Sequence, residues 1–172
     1  LNIANGFGFA AQRNLDYQNH KANKDISILY QNVRGLRTKT SKFLSLLESS
    51  GSDIFAVTET GCNESIRDTE ITLPGYPIIR CDRADGRKQG GVLLVATPRY
   101  ELRRVSTPDD VDVNKHIEVI QYNSVPNCSG RQLDLVLSGR AGVSVRAGDE
   151  GLQPVDAYHP PLDISVEMSS EP

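Results

Sequence analysis

Residues 25–59, DISILYQNVRGLRTKTSKFLSLLESSGSDIFAVTE, limit more than any other stretch what this chain can fold into. Residues 25–31 are rich in β-branched and apolar side chains, and 53–58 (DIFAVT) form a short apolar run of the kind buried on both faces of a parallel sheet. Between them the hydrophobic period changes. Phe43, Leu44, Leu46 and Leu47 fall on one side of a helix, Thr40 or Ser41 stands where a cap belongs, and Gly51 follows where helices commonly stop. Strand, helix and strand in this order predict a βαβ unit. Side chains leaving the carboxyl ends of such strands share a crevice. Asn32 closes the first strand and Glu59 the second, so the two are expected to meet there. An amide beside a carboxylate suits a cation that holds a phosphate.

Further along, Asn63, Pro74 and Gly75 mark turns, and residues 76–81 predict a strand. Polar residues 82–89 turn the chain, Gly90 and Gly91 lead into a second buried strand, VLLVA, and 100–105 alternates as a third. Residues 132–138, which include Asp134, predict another strand; 143–146 and 161–166 predict the last two, with His159 just ahead of the final one. The first 24 residues mix Gly, Asn, Gln and Ala with little periodicity and are expected to be a mobile lead-in without chemistry. The expected class is α/β, with an antiparallel segment beside the opening unit.

A length of 172 residues suits one domain, with ordinary apolar and charged fractions. Cys62, Cys81 and Cys128 are odd in number and lack CxxC spacing, so neither a disulfide framework nor a zinc site is indicated. No apolar run reaches transmembrane length, and the first residues lack the basic start and apolar core of a signal peptide. A nuclear or cytoplasmic location without membrane contact is expected. Because the chain begins with Leu, it is expected to be a fragment of a larger reading frame. The net charge of −3 is unevenly placed: 31–104 hold 12 Lys/Arg against 9 Asp/Glu, and 105–172 hold 4 against 11. Three basic groups stand out: Arg34, Arg37, Lys39 and Lys42; Arg80, Arg83, Arg87 and Lys88; and Arg99, Arg103 and Arg104. Phosphate contacts depend on such local groups rather than on total charge.

The wording QNVRGLRTK, a helix and then DIFAVTET resembles the opening of the endonuclease/exonuclease/phosphatase superfamily. The resemblance is to the AP-endonuclease-like domain of insect-type non-LTR retrotransposons. RCDR (80–83), QGGVLLVA (89–96), GRQLDLVLS (130–138) and DAYHPPLDI (156–164) continue the match in order, so that it spans most of 25–164. It implies a two-sheet α/β sandwich of the DNase I-like type, with an N-terminal part at 25–107 and a C-terminal part at 130–168. It also implies Mg²⁺- or Mn²⁺-dependent nicking of DNA and a reverse transcriptase domain elsewhere in the polyprotein.

Carried over residue by residue, the resemblance makes Glu59 the metal ligand and Asn32 the group that hydrogen-bonds the phosphate. His159 becomes a charged donor or general base at the phosphate, and Asp134 the carboxylate that orients it. Arg34, Arg37, Arg80, Arg83 and Arg103 are the expected nucleic-acid contacts. Two departures stand against this. Tyr158 occupies the place of an acid that normally precedes the histidine, leaving Asp156 as the possible substitute. The family's Gly-Asp-Phe-Asn turn has no counterpart, as if a middle block were missing at the junction 108–129, so the fold is expected to be incomplete. Positioning supplies much of the rate in hydrolysis. An inactive remnant with weak nucleic-acid binding, or a phosphatase of the same superfamily, therefore stands beside the endonuclease reading.

Overall fold

A computed structural model describes residues 2–3, 7–13, 25–83, 90–105, 120–121, 124–131, 137–138, 142–149, 151–152 and 154–167, the pieces at 2–3, 7–13, 120–121 and 137–138 by backbone alone. The elements follow in chain order. Strands β1 (Asn2–Ile3), β2 (Phe7–Arg13) and β3 (Asp25–Asn32) precede helix α1 (Thr40–Ser49), strand β4 (Ile54–Thr58) and helix α2 (Asp68–Ile71). Then come β5 (Ile78–Cys81), β6 (Val92–Ala96), β7 (Tyr100–Val105), β8 (Ile120–Gln121), β9 (Leu137–Ser138), β10 (Val143–Ala147) and β11 (Leu162–Glu167).

The expected βαβ unit is present. β3 and β4 pair in parallel from Ile28 opposite Ile54 to Asn32 opposite Thr58. They form the centre of a mixed six-stranded sheet in the order β10-β11-β3-β4-β6-β5, all of whose other pairings are antiparallel. The class is α/β with few helices.

Period-two alternation sorts the strand residues between two cores. On one face Leu29, Phe55, Val57, Leu93 and Val95 pack with Phe43 and Leu47 of α1 and Ile71 of α2. On the other, Ile26, Ile28, Ile54, Ala56, Leu94, Ala96, Leu162 and Ile164 pack with Tyr100 of β7. All five residues of β6 are buried, which accounts for its unbroken apolar sequence. Burying a side chain such as Phe43 or Leu47 contributes about 1.5–3 kcal/mol each.

Several expectations change. Residues 7–13 were expected within the mobile lead-in, yet β2 pairs antiparallel with β7 from Gly8 opposite Val105 to Arg13 opposite Tyr100. Pairing with a distant strand, not local periodicity, makes that segment extended. Helix α1 starts at Thr40 without a side-chain cap. The Thr40 hydroxyl instead donates backward to the carbonyls of Leu36 and Arg37, each at 3.3 Å. At the other end Ser50 is extended and stops the helix, one residue before the Gly51 expected to do so. The strand expected over 76–81 covers Ile78–Cys81. Among the described residues, no helix is long and apolar enough to cross a membrane.

Candidate active site at the strand ends

Because β6 and β11 run antiparallel to β3 and β4, the carboxyl ends of the latter pair share one edge with the amino ends of the former. Asn32 lies opposite Thr58, Thr58 opposite Val92, and Tyr30 opposite Leu162. Four connections therefore meet at this edge: those leaving β3 and β4 and those entering β6 and β11.

The exits of β3 and β4 stay side by side after the strands end. Val33 N–H donates to Thr58 O at 3.0 Å, Gly35 N–H to Glu59 O at 2.7 Å and Leu36 N–H to Thr60 O at 2.7 Å. Both exits turn through the left-handed region, at Arg34 (φ 45°) and Gly35 (φ 100°) and at Glu59 (φ 56°) and Gly61 (φ 61°), as do Gly90 (φ 99°) and Gly91 (φ 86°) ahead of β6. For residues other than glycine this conformation costs roughly 1–2 kcal/mol, and such strain is common where side chains are aimed for function. Local bonds hold it here. Asn32 Oδ1 accepts the Arg34 N–H at 3.2 Å, the turn-forming behaviour of an asparagine. Glu59 Oε2 accepts the Gly90 N–H at 2.6 Å, and Gly61 N–H donates to Gly90 O at 2.9 Å.

The connection entering β11 brings the distant part of the chain to the same edge. Asp156 and His159 form an isolated antiparallel bridge, with His159 N–H donating to Asp156 O at 2.9 Å and Tyr158 N–H to Asp156 Oδ1 at 3.0 Å. Asp156 Oδ2 is buried and lies 2.5 Å from Arg34 Nε, as an ion pair rather than an aligned hydrogen bond. Lys39 stands in the same group, its Nζ donating to Val33 O at 2.6 Å. Burial lowers its pKa below the ordinary lysine value, against the attraction of Asp156 and with the repulsion of Lys42 and Arg34.

Of the expected site residues, Asn32, Glu59, Arg34, Asp156 and His159 thus gather at one edge of the sheet. Arg37 is exposed on the same β3 exit. Arg83 is exposed and lies over Gly90, where an added Cβ would stand 2.8 Å from its Cδ. Arg80 has a different role. Its side chain is 13% exposed, and its guanidinium bonds the carbonyls of Ile66 (2.7 Å) and Asn63 (2.6 Å), Asp68, and the carboxylate of Asp82. Burial opposes its charge, but Asp82 and Asp68 outweigh that and raise its pKa above the ordinary value. Arg103 sits on β7 in the sheet of β1, β2 and β7, exposed and paired with Glu101 at 3.0 Å. Asp134 lies outside the described residues, as do Arg87 and Lys88. Tyr158, where an acid was expected, is 49% exposed.

One residue that the sequence did not single out also belongs to the site. Gln31 is 1% exposed, and its amide bonds both backbone groups of Leu152: Leu152 N–H donates to Oε1 at 2.7 Å and Nε2 donates to Leu152 O at 3.2 Å. A polar residue within an apolar buried strand was the available signal.

Mg²⁺ takes one or two protein carboxylates and keeps several waters. Among the described residues no three His, Cys, Asp or Glu side chains gather as a metal-holding group. Glu59 leaves β4 next to the β3 exit that carries Asn32, and a single carboxylate suits that sparse mode of ligation rather than an all-protein cage. Comparison with protein-family models, with curated proteins and with solved structures finds no match.

Proposed function

We propose that this chain is the endonuclease-like domain of a retrotransposon polyprotein, of the DNase I-like two-sheet type, whose site hydrolyses DNA phosphodiester bonds with Mg²⁺ or Mn²⁺. The observation that supports this reading best is the convergence at one sheet edge. The Asp156–His159 turn, from the far end of the sequence, lies against Arg34 beside the strand ends that carry Asn32 and Glu59. In this reading Glu59 holds the cation, which when bound would offset charge on the phosphate. The Asn32 amide donates to a phosphoryl oxygen, and Arg34, Arg37 and Arg83 line the approach of neighbouring phosphates. His159 holds a proton at the phosphate or accepts one from water. The left-handed turns at Arg34 and Glu59 fix where these groups leave the sheet, so little reorganisation accompanies binding.

The test is nicking of a supercoiled plasmid with Mg²⁺ by the unaltered chain, Glu59→Ala and His159→Ala. Each substitution is expected to lower the rate by about 100-fold or more. A second reading draws on Arg34, whose guanidinium is already paired with Asp156, and on Tyr158 standing where an acid was expected. On that reading the site is an inactive remnant that binds nucleic acid weakly. Absence of nicking by protein that unfolds cooperatively favours the remnant. Hydrolysis of a phosphomonoester without nicking would instead indicate a phosphatase.

A further inference from the structure

We propose that Gln31 is a positioning residue: its buried amide clasps Leu152 and thereby helps set the Asp156–His159 turn against Arg34. The proposal rests on the endonuclease reading for its catalytic consequence and on geometry alone for its structural one.

The connection into β11 is fastened to β3 at both ends, on consecutive residues. At its far end Leu162 pairs with Tyr30 in the β-ladder. At its near end Leu152, buried in the helix-side core, is held by Gln31. Between these two points lies the turn that carries Asp156 and His159. Attachment on both sides of one strand leaves the intervening loop little freedom to shift along the strand axis. The stem is tight as well: a Cβ on Gly151 would come within 2.9 Å of Pro161 Cγ and 3.2 Å of Val155 Cγ2.

The clasp replaces, at the strand end, what a further ladder pair would supply. An amide side chain offers an acceptor oxygen and two donor N–H groups, of which the oxygen and one N–H match the N–H and C=O of a single residue. Leaving buried backbone groups unpaired is costly, so a strand residue with only an apolar side chain cannot hold Leu152 in the same place. The outer side of the turn is held by the Arg34–Asp156 ion pair and by Cys128 N–H donating to Ala157 O at 3.0 Å. Neither ties its stem to β3. The proposal assigns the anchoring of that stem, and with it the height of Asp156 and His159 along β3, to a residue that touches neither substrate nor cation.

Gln31→Met keeps the length and apolar packing while removing both hydrogen bonds. Gln31→Glu restores both when its carboxyl is protonated, because C=O can accept from Leu152 N–H and O–H can donate to Leu152 O. Two readouts are needed, amide hydrogen exchange and plasmid nicking with Mg²⁺. For Gln31→Met, exchange at Leu152 and across 154–159 is expected to accelerate by about tenfold or more. Exchange at Gly90, bonded to Glu59, should stay unchanged. The nicking kcat is expected to fall about tenfold or more with KM within about twofold, since placement of His159 matters in the transition state rather than for binding. For Gln31→Glu, protection at Leu152 should return as pH falls through the raised pKa of a buried carboxyl, while Gln31→Met shows no such pH dependence.

Unchanged exchange at 154–159 in Gln31→Met overturns the clasp. Faster exchange with unchanged nicking overturns the positioning role and leaves the endonuclease reading intact. If the unaltered chain does not nick, the endonuclease reading is what fails. The exchange arm then decides alone: loosening confined to this connection supports the clasp, and no loosening overturns it. Should Gln31→Met not fold, the pH dependence of Leu152 protection in Gln31→Glu serves the same purpose, its absence counting against the clasp.

Discussion

Arg80 and Arg83 lie three positions apart in a basic group that reads, in sequence, as one surface. Their environments separate them. Arg80 ties the segment after β4 to β5 through Asn63, Ile66 and Asp68 and pairs with Asp82, while Arg83 is exposed beside Gly90. Arg80→Met is expected to destabilise the fold by about 2 kcal/mol or more, because it strands two carbonyls and a partly buried carboxylate. Arg83→Ala, at an exposed side chain, is expected to cost less. Urea unfolding of both variants checks the contrast. Cys62 gives a residue-scale pH prediction. Burial raises the pKa of its thiol in the folded state, opposed by the Thr60 hydrogen bond. The unfolded chain then loses this proton first as pH rises. The stability that the group contributes is complete below its ordinary value of 9.0 and declines as pH climbs toward the folded value. Cys62→Ala should therefore flatten the decline of stability above pH 9.0, seen as a smaller shift of the urea midpoint between neutral and alkaline buffer.

At the scale of elements, the turns before β6 and after β4 decide where Glu59 points. Gly91 has φ 86°, and a Cβ there would lie 2.6 Å from the Oγ1 of buried Thr60. Gly75 has a similar φ of 81° but open space around it. Gly91→Ala is expected to cost about 2 kcal/mol or more and Gly75→Ala about 1 kcal/mol, the difference being the collision. Thermal unfolding of the two variants measures it. The same elements explain what could be read from the chain beforehand. β3, α1 and β4 were legible because each carries its own period, and β6 because its run is unbroken. β2 was not, since its partner β7 lies far along the sequence and pairing alone extends it. Strand order placed Asn32 and the residue after Thr58 at one edge of the sheet, as parallel pairing of β3 and β4 requires. The roles of Arg80 and Gln31 were hidden because both depend on backbone groups supplied by loops, and loops leave no periodic trace. Thr40 was misread as a cap because a hydroxyl at the first helical position can equally bond backward, which local sequence does not distinguish.

At the scale of the molecule, charge is divided along the chain, and the division bears on whether the strand-end edge binds nucleic acid. Its exposed cations come from the first half, Arg34, Arg37 and Lys42 from the β3 exit and α1, and Arg83 from the turn after β5. The acidic excess lies in 105–172. Over distances beyond about 8 Å, salt near 0.15 M screens that excess, so the local cations govern contact with a phosphate backbone. Arg34 is already paired with Asp156, so if the other three each neutralise one phosphate, log K should fall against log salt with a slope of about −2.7, or roughly 40-fold in affinity between about 50 and 200 mM salt. Fluorescence anisotropy with a labelled duplex gives the slope. Arg83→Ala should reduce its magnitude by about 1, whereas Arg80→Met, with its guanidinium engaged internally, should leave it unchanged once folded protein is counted. Glu59→Ala should bind at least as well as the unaltered chain, because it removes a negative charge from the edge, and yet lose nicking. Loss of binding with Glu59→Ala, or a slope indifferent to Arg83, would mean that DNA engages another surface. The cations of the strand ends would then be a solvated rim rather than a path to the site.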